Sequence, residues 1–284
     1  MNILKSAGTL YVVATPIGNL EDISFRAVKT LKKVDLIAAE DTRHSGRLLS
    51  HYSIDTKLIS CHEHNETKRI PGLITRLEKG LNIALISDAG TPAISDPGYK
   101  LVQAAAEKGI RIIPVPGCSA AIAGLSVSGL ATDSFIFLGF LPRKQHKLIQ
   151  FLESVKTEPR TLICYESPHR IKKLVNAMIQ VFGDRQSCLT REITKIHEEY
   201  IRASLVKIHE ILEKRENIKG ECSLFIQGYG RSEHPDITEH QLETIILKHL
   251  KFSSHQGTSR LAKIIAEKTG MPRKKIYDMI IKLS

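Results

Sequence analysis

The chain has 284 residues, of which 41 are Lys or Arg and 30 are Asp or Glu, so its formal net charge is +11. This length suits about two domains, and five dispersed Cys without a C-x-x-C pair argue against a disulfide framework. The positive surplus favours an acidic partner such as nucleic acid. Trp is absent and aromatic residues make up only 5%, which disfavours extended base-stacking platforms.

The N-terminal stretch has one early Lys but no long apolar region and no small-residue cleavage pattern, so we expect no signal peptide. The weakly polar stretch 118–131 is interrupted by Ser and Gly and is too short to cross a bilayer. We therefore expect a soluble, cytoplasmic protein with reduced thiols and no membrane partner.

Apolar runs of strand length alternate with helical patterns from the start of the chain to residue 115. The predicted strands cover residues 10–14, 35–39, 58–60, 83–87 and 111–115. Ser24 is a typical N-cap for the first helix, which extends to Lys33. Strands that alternate with helices predict a mostly parallel sheet with right-handed crossovers. We assign this N-terminal α/β domain to residues 1–117.

The alternation continues beyond this domain, with a small-residue helix that opens at Ser119 and a basic helix at 143–154. The predicted strands cover residues 135–139, 161–165, 187–191, 200–203 and 223–227. The third and fourth of these strands look like neighbours in one sheet. Residues 118–230 are therefore predicted to form a second α/β domain with a mixed sheet.

A polar connector at 228–235 precedes three helical patterns, at 238–251, 258–269 and 273–283. The last two are separated by a short turn with Gly and Pro, as in a helix-turn-helix. From residue 251 to the last residue, eight Lys or Arg face two acids, a surplus of six of the eleven net charges. We assign a small basic helical domain to residues 236–284.

The strand at 83–87 delivers a polar loop, residues 87–98, that contains two Gly, two Pro and two Asp. The carboxyl end of a parallel strand is where open α/β sheets bind ligands, and Gly90 allows a ligand to approach the backbone closely. The alternative is an ordinary turn in which Asp96 caps the next helix and Pro97 is its first residue.

Two further loops, at 15–22 and 116–121, leave the same edge of the predicted sheet. Together with 87–98 they predict a cleft for a nucleoside-sized ligand. The glycines of a G-x-G-x-x-G fingerprint and of a G-x-x-x-x-G-K-[ST] loop are both missing. A dinucleotide-dependent dehydrogenase and a P-loop NTPase are therefore disfavoured.

Several long motifs occur in a characteristic order: TPIGNLEDIS from Thr15, AEDTR from Ala39, SDAGTPAISDPG from Ser87, VPGCSA from Val115, ESPHR from Glu166, REITK from Arg191 and KGE from Lys219. Over residues 9–228 the chain resembles the ribosomal RNA small-subunit methyltransferase I family, a branch of the tetrapyrrole-methylase-like superfamily. The basic tail resembles the helix-turn-helix appendage of that family.

This resemblance implies two α/β domains of the tetrapyrrole-methylase type with a cofactor cleft between them. It implies S-adenosylmethionine as methyl donor, and the 2′-hydroxyl of a cytidine in the decoding region of 16S rRNA, in the small ribosomal subunit, as acceptor. It also implies a homodimer.

Carried over by motif, the cofactor-binding residues would come from the three loops and from the second domain. They are Pro16, Ile17, Asp88, Ala89, Gly90, Thr91, Ser119 and Ala120, with Tyr165 and Glu221 facing them. Asp88 would accept hydrogen bonds from polar groups of the cofactor. The alternative is that Asp88 satisfies the amides of its own loop.

A ribose hydroxyl is a weak acid, so a base or a nearby cation should assist its methylation. Glu192 could accept the proton, and Lys195 or Arg191 could stabilise the developing oxyanion. A surface ion-pair set is the alternative interpretation. The cluster at 40–43 is a rival site, in which Thr42 could equally be an N-cap with Arg43 exposed.

Candidate RNA contacts are Arg43, His169, Arg170, Arg260, Arg273, Lys274 and Lys275. Basic side chains on helices bind phosphate without reading sequence, although some basic helical tails serve only packing or dimerisation. The Cys-His-Glu-His segment at 61–64 lacks a second ligand cluster at a recognisable spacing, so no metal is predicted.

Two rival functions stay open at this point. One is a tetrapyrrole C-methyltransferase, whose polyanionic substrate would also suit a basic protein but would leave the helical tail unexplained. The other is a helix-turn-helix regulator that uses the α/β body as a ligand sensor.

Overall fold

The computed structural model describes residues 7–230, 239–252, 257–269 and 273–283. Its contacts divide the chain into two compact units, Met1–Gly228 and Tyr229–Ser284. The first unit contains two five-stranded sheets and the second contains helices. This confirms the predicted class. Most of the predicted linker, 231–235, and the turn residues 270–272 lie outside the described residues.

The first sheet is entirely parallel, with the strand order β3-β2-β4-β1-β5. Its elements are β1 Thr9–Val13, a 3-10 turn at Leu20–Asp22, α1 Phe25–Lys33, β2 Leu36–Ala39, α2 Thr42–His51, β3 Leu58–Ser60, α3 Glu66–Glu78, β4 Ile83–Ile86, α4 Tyr99–Glu107 and β5 Arg111–Val115. Every strand bound lies within one or two residues of its prediction. Apolar clusters cover both faces of this sheet, which is why its central strands are continuous apolar runs.

The second sheet is mixed, with the order β6-β7-β10-β8-β9. Its elements are α5 Ala120–Val127, β6 Phe135–Phe140, α6 Gln145–Ser154, β7 Thr161–Glu166, α7 Ile171–Phe182, β8 Gln186–Arg191, β9 Glu199–Ser204, α8 Leu205–Glu213 and β10 Cys222–Ile226. Strand β6 is parallel to β7, whereas β10 is antiparallel to both β7 and β8. Strands β8 and β9 pair antiparallel, so the predicted neighbours are confirmed.

Two helix caps that the sequence left open as alternatives are not present in the structure. Helix α2 is capped by Asp41, whose carboxylate accepts from the amides of Arg43 and His44, and not by Thr42. Helix α4 begins at Tyr99. The residue before it, Gly98, has a φ of 116°, which glycine adopts readily because it has no side chain. Asp96 is therefore not a cap, and its carboxylate is available for another role.

The second unit contains α9 Glu239–Phe252, α10 Thr258–Thr269 and α11 Arg273–Leu283, close to the predicted ranges. Their apolar faces form a cluster of residues that are at most 2% exposed: Leu242, Ile246, Leu261, Ala262, Ile265, Ile276 and Ile280. None of the described helices combines the length and the apolar character that crossing a bilayer requires.

Candidate active site

Three loops of the first sheet meet at its carboxyl edge. Thr15 and Gly90 exchange two backbone hydrogen bonds of 2.9 and 3.1 Å, which join the loop after β1 to the loop after β4. The Thr91 hydroxyl donates to the Cys118 carbonyl at 3.1 Å and so attaches the loop after β5. The predicted convergence of the three loops is therefore present.

A cavity of about 340 Å³, called here the cofactor cavity, lies between these loops and the second sheet. Eight of the ten predicted cofactor residues line it: Ile17, Ala89, Gly90, Thr91, Ser119, Ala120, Tyr165 and Glu221. Its size suits one nucleoside-sized ligand. The motif order and the parallel topology together therefore predicted the position of this cavity.

Two predicted residues do not line the cavity. Pro16 is buried within its loop. The Asp88 carboxylate accepts from the Asp41 amide at 3.1 Å, and the Asp88 amide donates to Glu40 at 3.4 Å. Asp88 therefore links the loop after β4 to the loop after β2, instead of satisfying the amides of its own loop.

Tyr165 connects the second sheet to helix α5. Its hydroxyl accepts from the Ala121 amide at 3.0 Å and also bonds to the Ser119 side chain. Its ring makes edge contacts with Phe137 and Phe140. Burial raises the pKa of this phenol, so Tyr165 stays neutral and holds the two halves of the cavity together.

Asp96 lines the cavity, although the sequence suggested only a cap. Burial raises its pKa from 3.8 to about 6, the nearby carboxylates of Glu40, Asp88 and Glu221 add to the shift, and a hydrogen bond from Ser87 partly offsets it. A half-buried carboxylate with a pKa near neutrality is a typical proton acceptor.

The loop around Asp96 has an unusual backbone. Ala93 and Ser95 have φ of 67° and 63°, values that non-glycine residues rarely adopt. Neither value can be predicted from Ala or Ser, so the sequence offered no direct signal for the orientation of Asp96. The other lining residues that were not predicted are Ile94, Ser95, Phe140, Glu166, Ser167, Pro168, Cys222 and Ser223.

Glu166 is a second buried carboxylate of the cavity, only 3% exposed. It accepts from the Ser167 amide at 2.7 Å and pairs with Arg170 at 3.1 Å. Arg170 also donates to the carbonyls of Leu141 and Pro142. The predicted RNA contact Arg170 thus has its guanidinium engaged with its own fold, whereas the neighbouring His169 is exposed.

The predicted catalytic residues lie behind Glu221. Glu192 accepts from Lys195 at 2.8 Å and from the Glu221 amide at 3.0 Å, and Lys195 pairs with the Glu221 carboxylate at 3.2 Å. Burial alone would raise the pKa of Glu192, but these hydrogen bonds outweigh it and the pKa is lowered. Arg191 points away, to Glu199 and the Lys219 carbonyl. Of this group, only Glu221 lines the cavity.

The same loop touches the first domain. The Asn19 amide donates to the Thr194 hydroxyl at 3.0 Å. A Cβ on Gly18 would lie 2.4 Å from Lys195 Cγ, so this glycine is required by a close approach. The loops 15–22 and 191–196 therefore close one side of the cleft together.

The charge of the cavity identifies the kind of ligand that it fits. Asp96, Glu166 and Glu221 line it, and no Lys, Arg or His of the described chain does. Ile17, Ala89 and Ala120 supply an apolar wall. A ligand with a cationic centre and a flat apolar portion matches this set, as S-adenosylmethionine does with its sulfonium, ammonium and adenine groups.

The remaining predicted residues lie at the surface. The Arg43 side chain is 90% exposed and pairs with Asp41 at 3.1 Å. Within the helical unit, Arg260, Lys274 and Lys275 are exposed, and Arg273 donates to the Ser259 hydroxyl at 2.7 Å. In the described part of the chain, no three His, Cys, Asp or Glu side chains are arranged to hold a metal ion, including those at 61–64.

Comparison with known proteins places these observations in a context. The family model for tetrapyrrole (corrin/porphyrin) methylases matches residues 9–209. A ribosomal RNA small subunit methyltransferase I from Halalkalibacterium halodurans is 46% identical over 276 residues, or 96% of this chain and 94% of that protein. The protein of the same name from Pseudomonas aeruginosa is 45% identical over 279 residues, or 97% and 98% of the two chains.

Solved structures agree at the level of the fold. Diphthine synthase has a TM-score of 0.59 at 14% identity, over 78% of this chain and 90% of that one. A uroporphyrin-III C-methyltransferase from Thermus thermophilus, solved with S-adenosyl homocysteine, has a TM-score of 0.56 at 16% identity, over 78% and 97%. Both matches cover about the share of the chain that the two sheets occupy.

Proposed function

Because the chain belongs to the tetrapyrrole methylase family and, within it, to the ribosomal RNA small subunit methyltransferase I family, we propose that it methylates the 2′-hydroxyl of a cytidine in the decoding region of 16S rRNA. The methyl donor is S-adenosylmethionine, which supplies a methyl group activated by its sulfonium. The observation that carries the proposal is the cofactor cavity, which is acidic, lacks a cationic side chain among the described residues and joins both sheets.

The cavity residues would hold the donor in distinct ways. Ile17 and Ala120 offer apolar surface. Gly90 lets a ligand approach its backbone because it carries no side chain, and its φ of 82° is one that other residues rarely adopt. Glu221 offers its carboxylate to a cationic group of the donor. Fixed placement of this kind supplies most of the rate in an in-line methyl transfer.

Asp96 is the residue that we assign to the acceptor hydroxyl. Its carboxylate would take the proton that the 2′-hydroxyl loses as the new O–C bond forms, and its raised pKa makes it the better base of the two candidates. The lowered pKa of Glu192 and its bonds to Lys195 and Glu221 favour a different role for that pair. We propose that Glu192 and Lys195 position Glu221.

The same family membership supports a proposal for the substrate and the assembly. We propose that the rRNA is methylated within the small ribosomal subunit, in the cytoplasm, by a homodimer. Exposed Arg43 and His169 on the first unit, and Arg260, Lys274 and Lys275 on the helical unit, would contact phosphate. Arg170 and Arg273, which hold parts of their own fold, would support these surfaces.

The decisive experiment offers several acceptors in parallel. The protein is incubated with methyl-labelled S-adenosylmethionine and, separately, with assembled small subunits, bare 16S rRNA, a tetrapyrrole precursor and duplex DNA. We expect label in the subunits, recovered after nuclease digestion as 2′-O-methylcytidine. Label on a tetrapyrrole carbon or on a base would contradict the proposal, as would tight duplex binding without transfer to any acceptor.

The phosphate contacts have a separate test. Replacing Arg260 and Lys274 together with Gln should lower the slope of log affinity against log salt by about 1 to 2, since each phosphate contact contributes about 0.7 to 0.9. An unchanged slope in a filter-binding titration would remove these residues from the RNA interface. Lys79→Gln is the matched control, because Lys79 lies at the end of α3 in the first unit and is not a candidate RNA contact.

A further inference from the structure

A second cavity, of about 540 Å³, lies beside the cofactor cavity. It is bounded by the residue after β2, by the segment between β3 and α3, and by the segment 95–100. Ser95 and Asp96 line both cavities and form a common wall. A ligand in the second cavity would therefore lie next to the donor and on the other side of the residue assigned to the acceptor proton.

The lining of this cavity is rich in hydrogen-bond acceptors. It includes the carboxylates of Glu40, Glu63, Glu66 and Asp96. Lys100 is its only Lys or Arg in the described chain, and this cation is engaged by Glu66 at 2.8 Å. Phosphate would be repelled here, so the backbone of an RNA strand does not fit the cavity, whereas a neutral group that donates hydrogen bonds does.

Two of the acceptors have capacity left. The Nδ1 atom of His62 is buried and has no hydrogen-bond partner among the residues that the structure describes. In the described structure, the Glu40 side chain accepts one hydrogen bond, from the Asp88 amide at a long 3.4 Å. Glu40 lines the second cavity, so its carboxylate can accept further hydrogen bonds from a ligand group there. Among the described residues, no three His, Cys, Asp or Glu side chains at this cavity form a group that could hold a metal ion.

Rings at the opening of the cavity match a flat ligand. The Tyr99 side chain is 64% exposed although it is aromatic, and His64 lies with its ring 6.1 Å from that of His62. Proteins that recognise single-stranded RNA commonly stack a splayed-out base on aromatic side chains, including Tyr and His.

We infer that the second cavity holds the base of the acceptor nucleotide and selects cytosine by accepting hydrogen bonds from its exocyclic amino group, with Glu40 as the principal acceptor. This inference rests on the proposed function. Uracil carries a carbonyl at the same position, so it would present an acceptor to a carboxylate and be rejected.

The test uses the full-length protein and two kinds of small subunit, which carry either the natural cytidine or a uridine at the target position. Methylation is timed in single turnovers at saturating S-adenosylmethionine. We expect the wild-type protein to prefer cytidine by about 10- to 100-fold, the range expected for one good base contact. Glu40→Gln, which replaces one acceptor oxygen by a donor, should reduce this preference about tenfold or more by slowing cytidine and sparing uridine.

Two controls make the result unambiguous. Glu107→Gln changes a carboxylate at the far end of α4 that bonds only to Gln103 in the described structure, and it should keep the wild-type preference. Affinity for S-adenosylhomocysteine, measured by calorimetry, should be unchanged in both variants and reports that each is folded. If a variant is too slow to time, the two subunits are made to compete in one long incubation and the ratio of products is read.

The outcomes separate the two proposals. If wild-type protein places no methyl group on a cytidine of the subunit, the proposed function fails. If it does, but Glu40→Gln keeps the preference or slows both substrates equally, the base-binding role of the second cavity is overturned. A reduced preference with intact cofactor binding supports it.

Discussion

The loops 87–98 and 191–196 come from different sheets and use the same backbone device. Each carries two non-glycine residues with positive φ, Ala93 and Ser95 in the first and Glu192 and Thr194 in the second. Such residues are costly, by about 1–3 kcal/mol each, and are found where the surrounding structure needs a particular side-chain direction. Both loops also direct a carboxylate toward the cofactor cavity or toward a residue that lines it.

Their electrostatics are opposite. Asp96 is buried near other carboxylates and its pKa rises to about 6, whereas Glu192 is held by Lys195 and its pKa falls. The Asp96 carboxylate can thus accept a proton near neutral pH, whereas the charge of the Glu192 carboxylate is compensated by Lys195. A strained loop by itself therefore does not identify a catalytic group, since the neighbours of its carboxylate decide the pKa of that group.

The largest expected difference between the loops is in catalysis. Asp96→Asn removes the proton acceptor without changing side-chain size, so we expect single-turnover methylation to fall about 10²- to 10⁴-fold. Glu192→Gln keeps one acceptor oxygen for Lys195 and should cost about tenfold or less. Equal losses in the two variants, measured by rapid quench with labelled donor on small subunits, would mean that the two loops do not differ in role.

Packing gives the next largest effect. Gly220 has φ of 88°, and a Cβ there would lie 2.3 Å from Glu192 Cγ and Cδ. We expect Gly220→Ala to lower the free energy of unfolding by about 2–4 kcal/mol, because strain and a clash add. Gly109 has a similar φ of 65° and open space around it, so Gly109→Ala should cost only about 1 kcal/mol. Urea denaturation followed by circular dichroism measures both free energies. Equal costs would show that the Glu192 side chain moves away from the added methyl group easily.

Sequence reasoning went further for the first loop than for the second. The apolar runs 83–86 and 111–115 have strand length, and parallel strands necessarily bring their carboxyl ends to one edge. The position of Ile17, Gly90 and Ser119 around one cavity was therefore predictable. Local pattern and topology predicted the cleft, and the family resemblance supplied the individual residues.

What could not be predicted depends on distant partners. Asp96 was considered only as a helix cap, in the alternative interpretation of its loop. Its environment is set first by burial and then by carboxylates that are remote in sequence, such as those of Glu40 and Glu221. Arg170 was a candidate phosphate contact, and its guanidinium also donates to the carbonyls of Leu141 and Pro142, which are remote in sequence. Burial and charge pairing across elements, and not residue type, decided both cases.

The pH dependence of the free energy of unfolding also distinguishes the two loops, by a smaller expected difference. The pKa of Asp96 is raised when the chain folds, so its stabilising effect is complete below pH 3.8 and is lost as the pH rises through about 6. Asp96→Asn should therefore stabilise the protein at pH 8, by about 1–2 kcal/mol, and have little effect near pH 4. Glu192 has a lowered pKa and a stabilising contribution that is present above its ordinary value of 4.5 and is lost as the pH falls.

Glu192→Gln should therefore destabilise the protein at pH 8 and have less effect at acidic pH. The two variants are expected to shift the urea midpoint in opposite directions at pH 8. The shift of Asp96→Asn should vanish near pH 4, whereas that of Glu192→Gln should shrink only as the pH falls below 4.5. Shifts of the same sign at pH 8 would contradict the assignment of opposite electrostatics to the two loops.

The smallest expected effect concerns the contact of the second loop with the first domain. Thr194→Val keeps the β-branched shape at φ of 67° but removes the acceptor for the Asn19 amide. An exposed hydrogen bond of this kind contributes about 0.5–1 kcal/mol, so unfolding should be little affected, whereas amide exchange at Asn19 should quicken about two- to fivefold. Thr194→Ser, which keeps the hydroxyl, should leave this exchange near the wild-type rate. If both variants exchange alike, the loops 15–22 and 191–196 are held together by the packing of Gly18 on Lys195, and the hydrogen bond is incidental to the closed side of the cleft.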